Sequence, residues 1–285
     1  MDQNTVALHS FIRQALDEDL GDGDHTSNST IPQGFQGQAK LLIKDTGTLA
    51  GVSIAREIFK IVDPALVMEE FIKDGKAVEY GDVAFHIKGS VHSILIAERL
   101  VLNIMQRMSG IATTTNKVVK LLEGTGTKVL DTRKTTPGLR YLEKLAVKIG
   151  GGVNHRFGLY DMVLIKDNHV DYAGGTAKAI EAAKSYLKAK NIDIPIEIEV
   201  RNLNELAEVI NSSGVDRILL DNFTFEKLKE AVTLINGRFI TEASGGITLD
   251  NVLEFAHCGV DYVSMGALTH SVKSLDMSLK AIQTN

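Results

Sequence analysis

The chain has 285 residues, 44% of them hydrophobic, with 31 basic against 36 acidic side chains and a formal charge of −5; this balance suits one large or two modest cores and argues against disorder. The negative charge provides no global field to recruit nucleic acid or anionic membrane, so any anion site must be built locally. The single cysteine, Cys258, cannot form an internal disulfide and lies in no metal-ligand spacing, the amino terminus MDQNTVALHS lacks a basic segment followed by an apolar run, and no stretch of 18 apolar residues occurs, which together favour a reducing, cytoplasmic setting.

The first 110 or so residues predict an α+β module. It has a helix over residues 10–20, weakly alternating strands in AKLLIK (39–44) and VAFHIK (83–88), and a long helix over 92–108. The acidic stretch DEDLGDGDHTSN (17–28) lacks the Asp, Gly and terminal Glu spacing of a calcium loop and reads as a helix end and turn. From about residue 128 short β-rich runs alternate with helical patterns, as in a parallel sheet of βα units. The runs are KVLDTRK (128–134), DMVLIKDN (161–168), IPIEIEV (194–200), DRILLDN (216–222), FITEASGG (239–246) and DYVSMGA (261–267). Amphipathic stretches such as Leu203, Leu206, Val209, Ile210 and Phe225, Leu228, Val232, Ile235 would cover the outside. Asn202 with Glu205 reads as the cap of the first of these helices, and Thr224 or Thr248 can cap later ones. A full eight-stranded barrel takes about 250 residues, so the roughly 160 residues beyond position 110 predict a short or incomplete one.

Each predicted strand ends in polar residues or glycine: Arg133 and Lys134, Lys166, Glu199, Asp221, Ser244 with Gly245 and Gly246, and Gly266. In an α/β barrel these ends converge on the rim that carries the active site. Taken singly, a lysine or aspartate there is a solvated turn residue; the whole set favours a site. Glu199 and Asp221 offer hard oxygen ligands for Mg²⁺ beside substrate phosphates, or ion-pair partners for Lys166 or Arg133. Glu197, read as lying on the opposite side of its strand from Glu199, is assigned to such an ion pair. The segments EASGG and MGA (Met265, Gly266, Ala267) are candidates for a phosphate cradle, in which glycine lets backbone N–H groups approach closely and Ser244 adds a donor; a plain β-to-α turn explains SGG alone equally well. His155 and Arg156 in GGVNHRFGL would stand close to Arg133 and Lys134 if the first two strands are adjacent. Such a cationic cluster, without acidic neighbours in sequence, suits a substrate with more than one carboxylate. Taken alone, His155 is more simply a hydrogen-bonded core residue.

The ordered set ALDEDLGDGDHT, AERLVLNIMQRMSGIAT, DTRKTTPGLR, GGVNHRFGL, IKDNH, EIEV, LLDNF, EASGGI and DYVSMGALTHS closely resembles the quinolinate phosphoribosyltransferase family, also called carboxylating nicotinate-nucleotide pyrophosphorylases. The resemblance spans nearly the whole chain. It implies an N-terminal α/β sandwich (1–110) on which the tail (272–285) packs, an incomplete (β/α) barrel (111–271), and a homodimer, with a hexamer as the larger alternative. It further implies transfer of phosphoribosyl from 5-phosphoribosyl 1-diphosphate to quinolinate, with Mg²⁺ as cofactor. Quinolinate binding falls to Arg133, His155 and Arg156, with Thr132 a further substrate-binding residue, while Lys134 and Lys166, which with Glu199 and Asp221 form the catalytic set, lie near quinolinate and the donor. Glu199 and Asp221 serve ribose and Mg²⁺, directly or through water, their relative spacing being open to a one-residue shift. Ser244, Gly245, Gly246, Met265, Gly266 and Ala267 hold the 5-phosphate, and Arg99 in AERLVLN is delivered from the neighbouring subunit. The rivals are a paralogue with a different ring acceptor and a non-catalytic sensor of a phosphorylated metabolite. The full set of carboxylates and cations argues against the sensor, since a pure binder gains little from groups suited to a transition state.

Overall fold

A computed structural model describes residues 3–282. The chain runs through α1 (Gln3–Leu20), α2 (His25–Thr30), β1 (Gln36–Ile43), β2 (Gly47–Thr48), α3 (Val52–Val62), β3 (Val67–Glu70), β4 (Ala77–Val78), β5 (Val83–Ser90) and α4 (Val91–Leu122). It continues through β6 (Lys128–Leu130), α5 (Arg140–Ile149), β7 (Val163–Ile165), α6 (Asp167–Ala173), α7 (Thr176–Lys190), β8 (Ile196–Val200) and α8 (Leu203–Ile210). The last elements are β9 (Arg217–Asp221), α9 (Phe225–Ile235), β10 (Ile240–Ser244), α10 (Val252–Ala256), β11 (Tyr262–Ser264), α11 (Ala267–His270) and β12 (Met277–Ala281).

Two compact units result. The first holds the described residues up to Asn116, Thr135–Gly151 and those from Ser271 on; the second holds Lys117–Lys134 and Gly152–His270. The expected boundary near residue 110 thus falls inside α4, and residues 135–151 group with the first unit. Of the expected tail 272–285, Met277–Ala281 forms β12, while 283–285, like 1 and 2, lie outside the described residues.

The first unit is built on an antiparallel sheet of order β12-β1-β5-β3. Side chains alternate across a strand, so β1 turns Ala39, Leu41 and Ile43 to one buried face. Against such positions α3 contributes Ile54, Ala55, Ile58 and Phe59, and the Phe59 and Phe85 rings meet edge to face at 5.9 Å. The helix expected over 92–108 extends to Leu122. Its apparent end, Ser109, Gly110 and three threonines, consists of weak helix formers. Here the hydroxyls of Thr113, Thr114 and Thr115 donate to the carbonyls of Ser109, Gly110 and Ile111 at 2.6, 3.1 and 2.8 Å, and Gly110 admits close backbone approach, since a Cβ there would lie 2.3 Å from the Lys273 carbonyl oxygen.

The second unit contains all six predicted strands in one parallel sheet of order β6-β11-β10-β9-β8-β7. The apolar positions Ile165, Ile198, Ile218, Leu220, Ala243 and Val263 are buried along it, and α7 to α10 bury the stripes Ile180, Leu206, Val209, Leu228, Ile235 and Phe255. The caps follow the sequence at Asn202, which accepts from the N–H groups of Asn204 and Glu205, and at Thr224, which accepts from Lys227. Thr248 is not a cap: α10 starts after Asn251, whose side chain accepts the Thr248 N–H at 2.8 Å. The runs 128–134 and 161–168 are not paired neighbours either. The free edge of β6 is taken by a single parallel bridge, Leu130 to Val153, and among the described residues no ladder joins Val153 to β7. The barrel is therefore incomplete, with its strand ends on one rim.

Candidate active site

Those strand ends enclose a cavity of about 790 Å³. Thr132, Arg133 and Lys134 follow β6, Lys166 follows β7, Glu199 and Asp221 come from β8 and β9, and Ser244, Gly245, Gly246, Gly266 and Ala267 come from the ends of β10 and β11; all line it, with His155 and Arg156. Of the remaining expected residues, Met265 is buried with its N–H on the Leu130 carbonyl at 3.0 Å and does not line the cavity. Arg99 is exposed on α4 of the first unit.

The cationic wall is held by a residue the sequence reading passed over. Asp131, fully buried, accepts the His155 N–H at 2.9 Å and the Asn154 side-chain amide at 2.6 Å, which folds the NHR segment against the end of β6. Arg156 donates from Nη1 to the Met162 carbonyl at 3.3 Å, and Asp161 fixes the turn between them by accepting from the N–H groups of Phe157 and Gly158 at 2.6 and 2.8 Å. Burial, followed by the charge of Arg133, holds the Arg156 guanidinium below its ordinary pKa. Two guanidinium groups that repel each other carry positive charge that an anion would neutralise.

Glu197 corrects its sequence assignment. Residues two apart on a strand share a face, so Glu197 points to the same side as Glu199 but one layer deeper. It is completely buried, with a carboxylate oxygen 2.9 Å from His155 Nε2. Glu242 of β10 lies 3.4 Å from the same nitrogen and accepts from Arg217 Nη1 at 3.2 Å. Burial opposes charge on His155, but the hydrogen bonds and charges of Glu197 and Glu242 outweigh it and push the ring up to about 9. The Arg156 backbone N–H meets Nδ1 at 2.7 Å. That contact needs the Nδ1 lone pair and belongs to the neutral ring, so the imidazolium must give it up. The cations therefore have acidic neighbours in space that they lack in sequence.

On the opposite side, Lys166 Nζ is 3.5 Å from Glu199, the rim ion pair allowed for above. The Glu199 side chain is only 9% exposed. Burial raises its pKa, Lys166 opposes that shift, and the Asp221 charge adds to it. Asp221 accepts from Ser244 Oγ and from Asn222 Nδ2, each at 2.5 Å, so the Ser244 hydroxyl is directed at a carboxylate in this structure. Asn222 has φ of 56°, a left-handed conformation uncommon outside glycine. Gly245, with φ of 96°, packs on it, and a Cβ there would stand 2.2 Å from Asn222 Oδ1. Gly245→Ala is expected to lower stability by roughly 1–3 kcal/mol and to weaken phosphate binding, as checked by thermal melting with and without inorganic phosphate.

Other lining residues escaped the sequence reading. Glu242 precedes Ser244 by two and shares its face, a signal that alternation could have supplied; His270 follows Gly266 by four and returns to the cavity over α11. Asn222 and Thr248 carried no comparable sign.

Comparisons with known proteins agree with this geometry. The sequence profile of the quinolinate phosphoribosyl transferase N-terminal domain matches residues 24–109 and that of the C-terminal domain matches residues 111–280. Quinolinate phosphoribosyltransferase [decarboxylating] 1b of Nicotiana tabacum is 47% identical, over 97% of this chain and 83% of that protein. The probable nicotinate-nucleotide pyrophosphorylase [carboxylating] of Bacillus subtilis is 42% identical, over 99% of this chain and 96% of its own. The crystal structure of NadC from Streptococcus pyogenes superposes with a TM-score of 0.92 at 39% identity, covering 99% of this chain and all of that one. The chain belongs to the quinolinate phosphoribosyltransferase family.

Proposed function

We propose that the protein transfers the phosphoribosyl group of 5-phosphoribosyl 1-diphosphate to the ring nitrogen of quinolinate, releasing pyrophosphate and then CO₂ to leave nicotinate mononucleotide, a step of NAD biosynthesis. The observation that carries this reading is one cavity with a cationic wall of Arg133, Lys134, His155 and Arg156, two facing carboxylates, Glu199 and Asp221, and the glycine turn at 245–246. The wall suits the two carboxylates of the acceptor, and the turn suits the 5-phosphate of the donor. Between them ribose C1 loses pyrophosphate and acquires positive charge, which Glu199 and Asp221 are placed to stabilise while Lys134 and Lys166 hold departing oxygens. The ring nitrogen forms the new bond and becomes cationic. Breaking the C2–carboxylate bond then releases CO₂, and the electron pair left at C2, stabilised by that nitrogen, takes a proton from water. No nucleophilic side chain is needed.

The donors also suit Mg²⁺. Glu199 and Asp221 are hard carboxylates close enough for one to raise the pKa of the other, a repulsion that a cation relieves, directly or through water. Bound there with the diphosphate, the ion would supply charge neutralisation on the leaving group. Incubation of the purified protein with quinolinate, 5-phosphoribosyl 1-diphosphate and Mg²⁺ is expected to yield pyrophosphate and nicotinate mononucleotide in equal amounts. Absence of quinolinate-dependent pyrophosphate release would overturn the reading.

We also propose a homodimer that shares Arg99 between subunits, in keeping with the exposure of that residue on α4. Arg99→Ala and Arg133→Ala should each be nearly inactive, yet after mixing and reassociation they should regain roughly a quarter of the wild-type sites, the random value for a shared two-fold dimer; no recovery despite proven subunit exchange would count against sharing. No helix among the described residues is long and apolar enough to cross a membrane, and the buried lone Cys258 suits the reducing cytoplasm, where we place the enzyme.

A further inference from the structure

Beneath the cationic wall, and reaching the cavity through Glu242, lies an ionic layer that the chemistry above does not use. Glu197 from β8 and Glu242 from β10 face His155 Nε2 at 2.9 and 3.4 Å, and Arg217 from β9 reaches Glu242 at 3.2 Å and Glu197 at 4.0 Å. The Tyr262 ring lies 4.8 Å from the Arg217 guanidinium, on β11. Both Glu197 oxygens and Glu242 Oε1 are buried without a well-aligned hydrogen bond, while Nε2 stands within ion-pair distance of both carboxylates. A group of similar apolar residues would fill this space without the desolvation penalty of buried ions, so the worth of the layer lies in what it holds. One ligand atom from each of His155, Glu197 and Glu242 falls within 4.8 Å of the others, but the Arg217 guanidinium already supplies the cation that a metal would bring.

We propose that Glu197, Glu242 and Arg217 are positioning residues for the acceptor acid: the two carboxylates, tied to each other by Arg217, anchor the His155 ring through Nε2, and the anchored residue fixes the strand-end segment whose next side chain is the Arg156 guanidinium. The Nε2 anchor holds in the protonated ring, whereas the 2.7 Å contact of Nδ1 with the Arg156 N–H belongs to the neutral ring alone. The same segment is pinned by the Asp131 bond to the His155 N–H. A guanidinium that must meet a carboxylate with two parallel bonds is sensitive to small displacements of its backbone, and the layer removes that freedom on the acceptor side alone. The donor side is carried by other segments, the turn at 245–246 after β10 and the Glu199–Lys166 pair at the ends of β8 and β7.

The proposal rests on the quinolinate reading, and the wild-type protein separates the two. If wild type does not turn over quinolinate, the functional reading fails and this inference goes with it. If it does, Glu197→Gln is expected to raise the KM for quinolinate about tenfold or more and leave the KM for 5-phosphoribosyl 1-diphosphate within about twofold. A second variant, Glu197→Gln with Arg217→Gln, restores the charge balance of the layer without restoring the grip on His155; its Tm should recover relative to Glu197→Gln while its quinolinate KM stays raised. Should the single variant be too unstable to purify, the double variant carries the test by the same comparison of the two KM values with wild type. An unchanged quinolinate KM, parallel shifts in both KM values, or recovery of the quinolinate KM along with Tm would each reduce the layer to a structural role and overturn the inference.

Discussion

Nicotinate should be a very poor acceptor, with kcat/KM about 10² to 10³ below that of quinolinate, if the cationic wall binds the acceptor as proposed, because this acid lacks the second carboxylate. Arg133 and Arg156 are close enough for one charge to depress the pKa of the other, the charges of Glu197 and Asp161 offset that repulsion only in part, and the Arg156 guanidinium donates to the Met162 carbonyl at 3.3 Å. An acid with one carboxylate leaves part of this charge without an anion, and a partly buried charge stripped of its partner costs several kcal/mol. The same geometry sets the mutant pattern. Arg156→Ala should lower kcat/KM for quinolinate far more than it affects the KM of the phosphoribosyl donor, since the donor's phosphate turn is built from other strands. Arg133→Lys should fail as well, because a point charge cannot reproduce a planar two-bond fork. Side-by-side kcat/KM values for the two acids decide the matter, and equal efficiency would favour the paralogue with a nicotinate-type acceptor.

The fold and most of the cavity lining were legible because both follow from local rules. Six β-rich runs between amphipathic stretches predict a parallel sheet, and parallel strands necessarily bring their C-terminal ends to one rim; residues as far apart in sequence as Arg133 and Gly266 could therefore be assigned to one site before any contact was known. Three features resisted. The extent of α4 depends on threonine hydroxyls bonding back to helix carbonyls and on the packing of Lys273 against Gly110, a tertiary effect that overrides weak propensity. Glu197 departs from its assignment to the opposite face because the two-residue period puts it on the face of Glu199. The surroundings of His155 were hidden for a different reason: Asp131, Glu197 and Glu242 reach it from three separate strand segments, and no spacing within one segment encodes their convergence. The role proposed for Arg99 rests on the family resemblance alone, since it would be exerted in a second subunit.

Asp221→Ala is expected to lower kcat by about 10² to 10³, the usual effect of losing one preorganised electrostatic group at a centre of developing charge, and to raise the Mg²⁺ concentration needed for half-maximal activity. Asp221→Asn isolates the cause. The asparagine can still accept the Ser244 hydroxyl through its remaining oxygen, so the contact that Ser244 makes at 2.5 Å survives. The charge does not survive, and the bond from Asn222 Nδ2 to Oδ2 is lost when that oxygen becomes a second amide donor. If Asp221 acts through its charge, on ribose C1 or on the metal, Asn and Ala should be similarly impaired; if it acts only by ordering Ser244 and the turn at 245–246, Asn should recover most of the activity. Glu199 provides an independent arm. Removing the Asp221 charge takes away one of the influences that raise the Glu199 pKa, so in Asp221→Asn the residual activity should persist to lower pH than in wild type, as Glu199 keeps its negative charge further into acid. Kinetics across pH and Mg²⁺ concentration in the two variants resolve these cases, and normal turnover of Asp221→Ala with unchanged Mg²⁺ dependence would remove Asp221 from the chemistry.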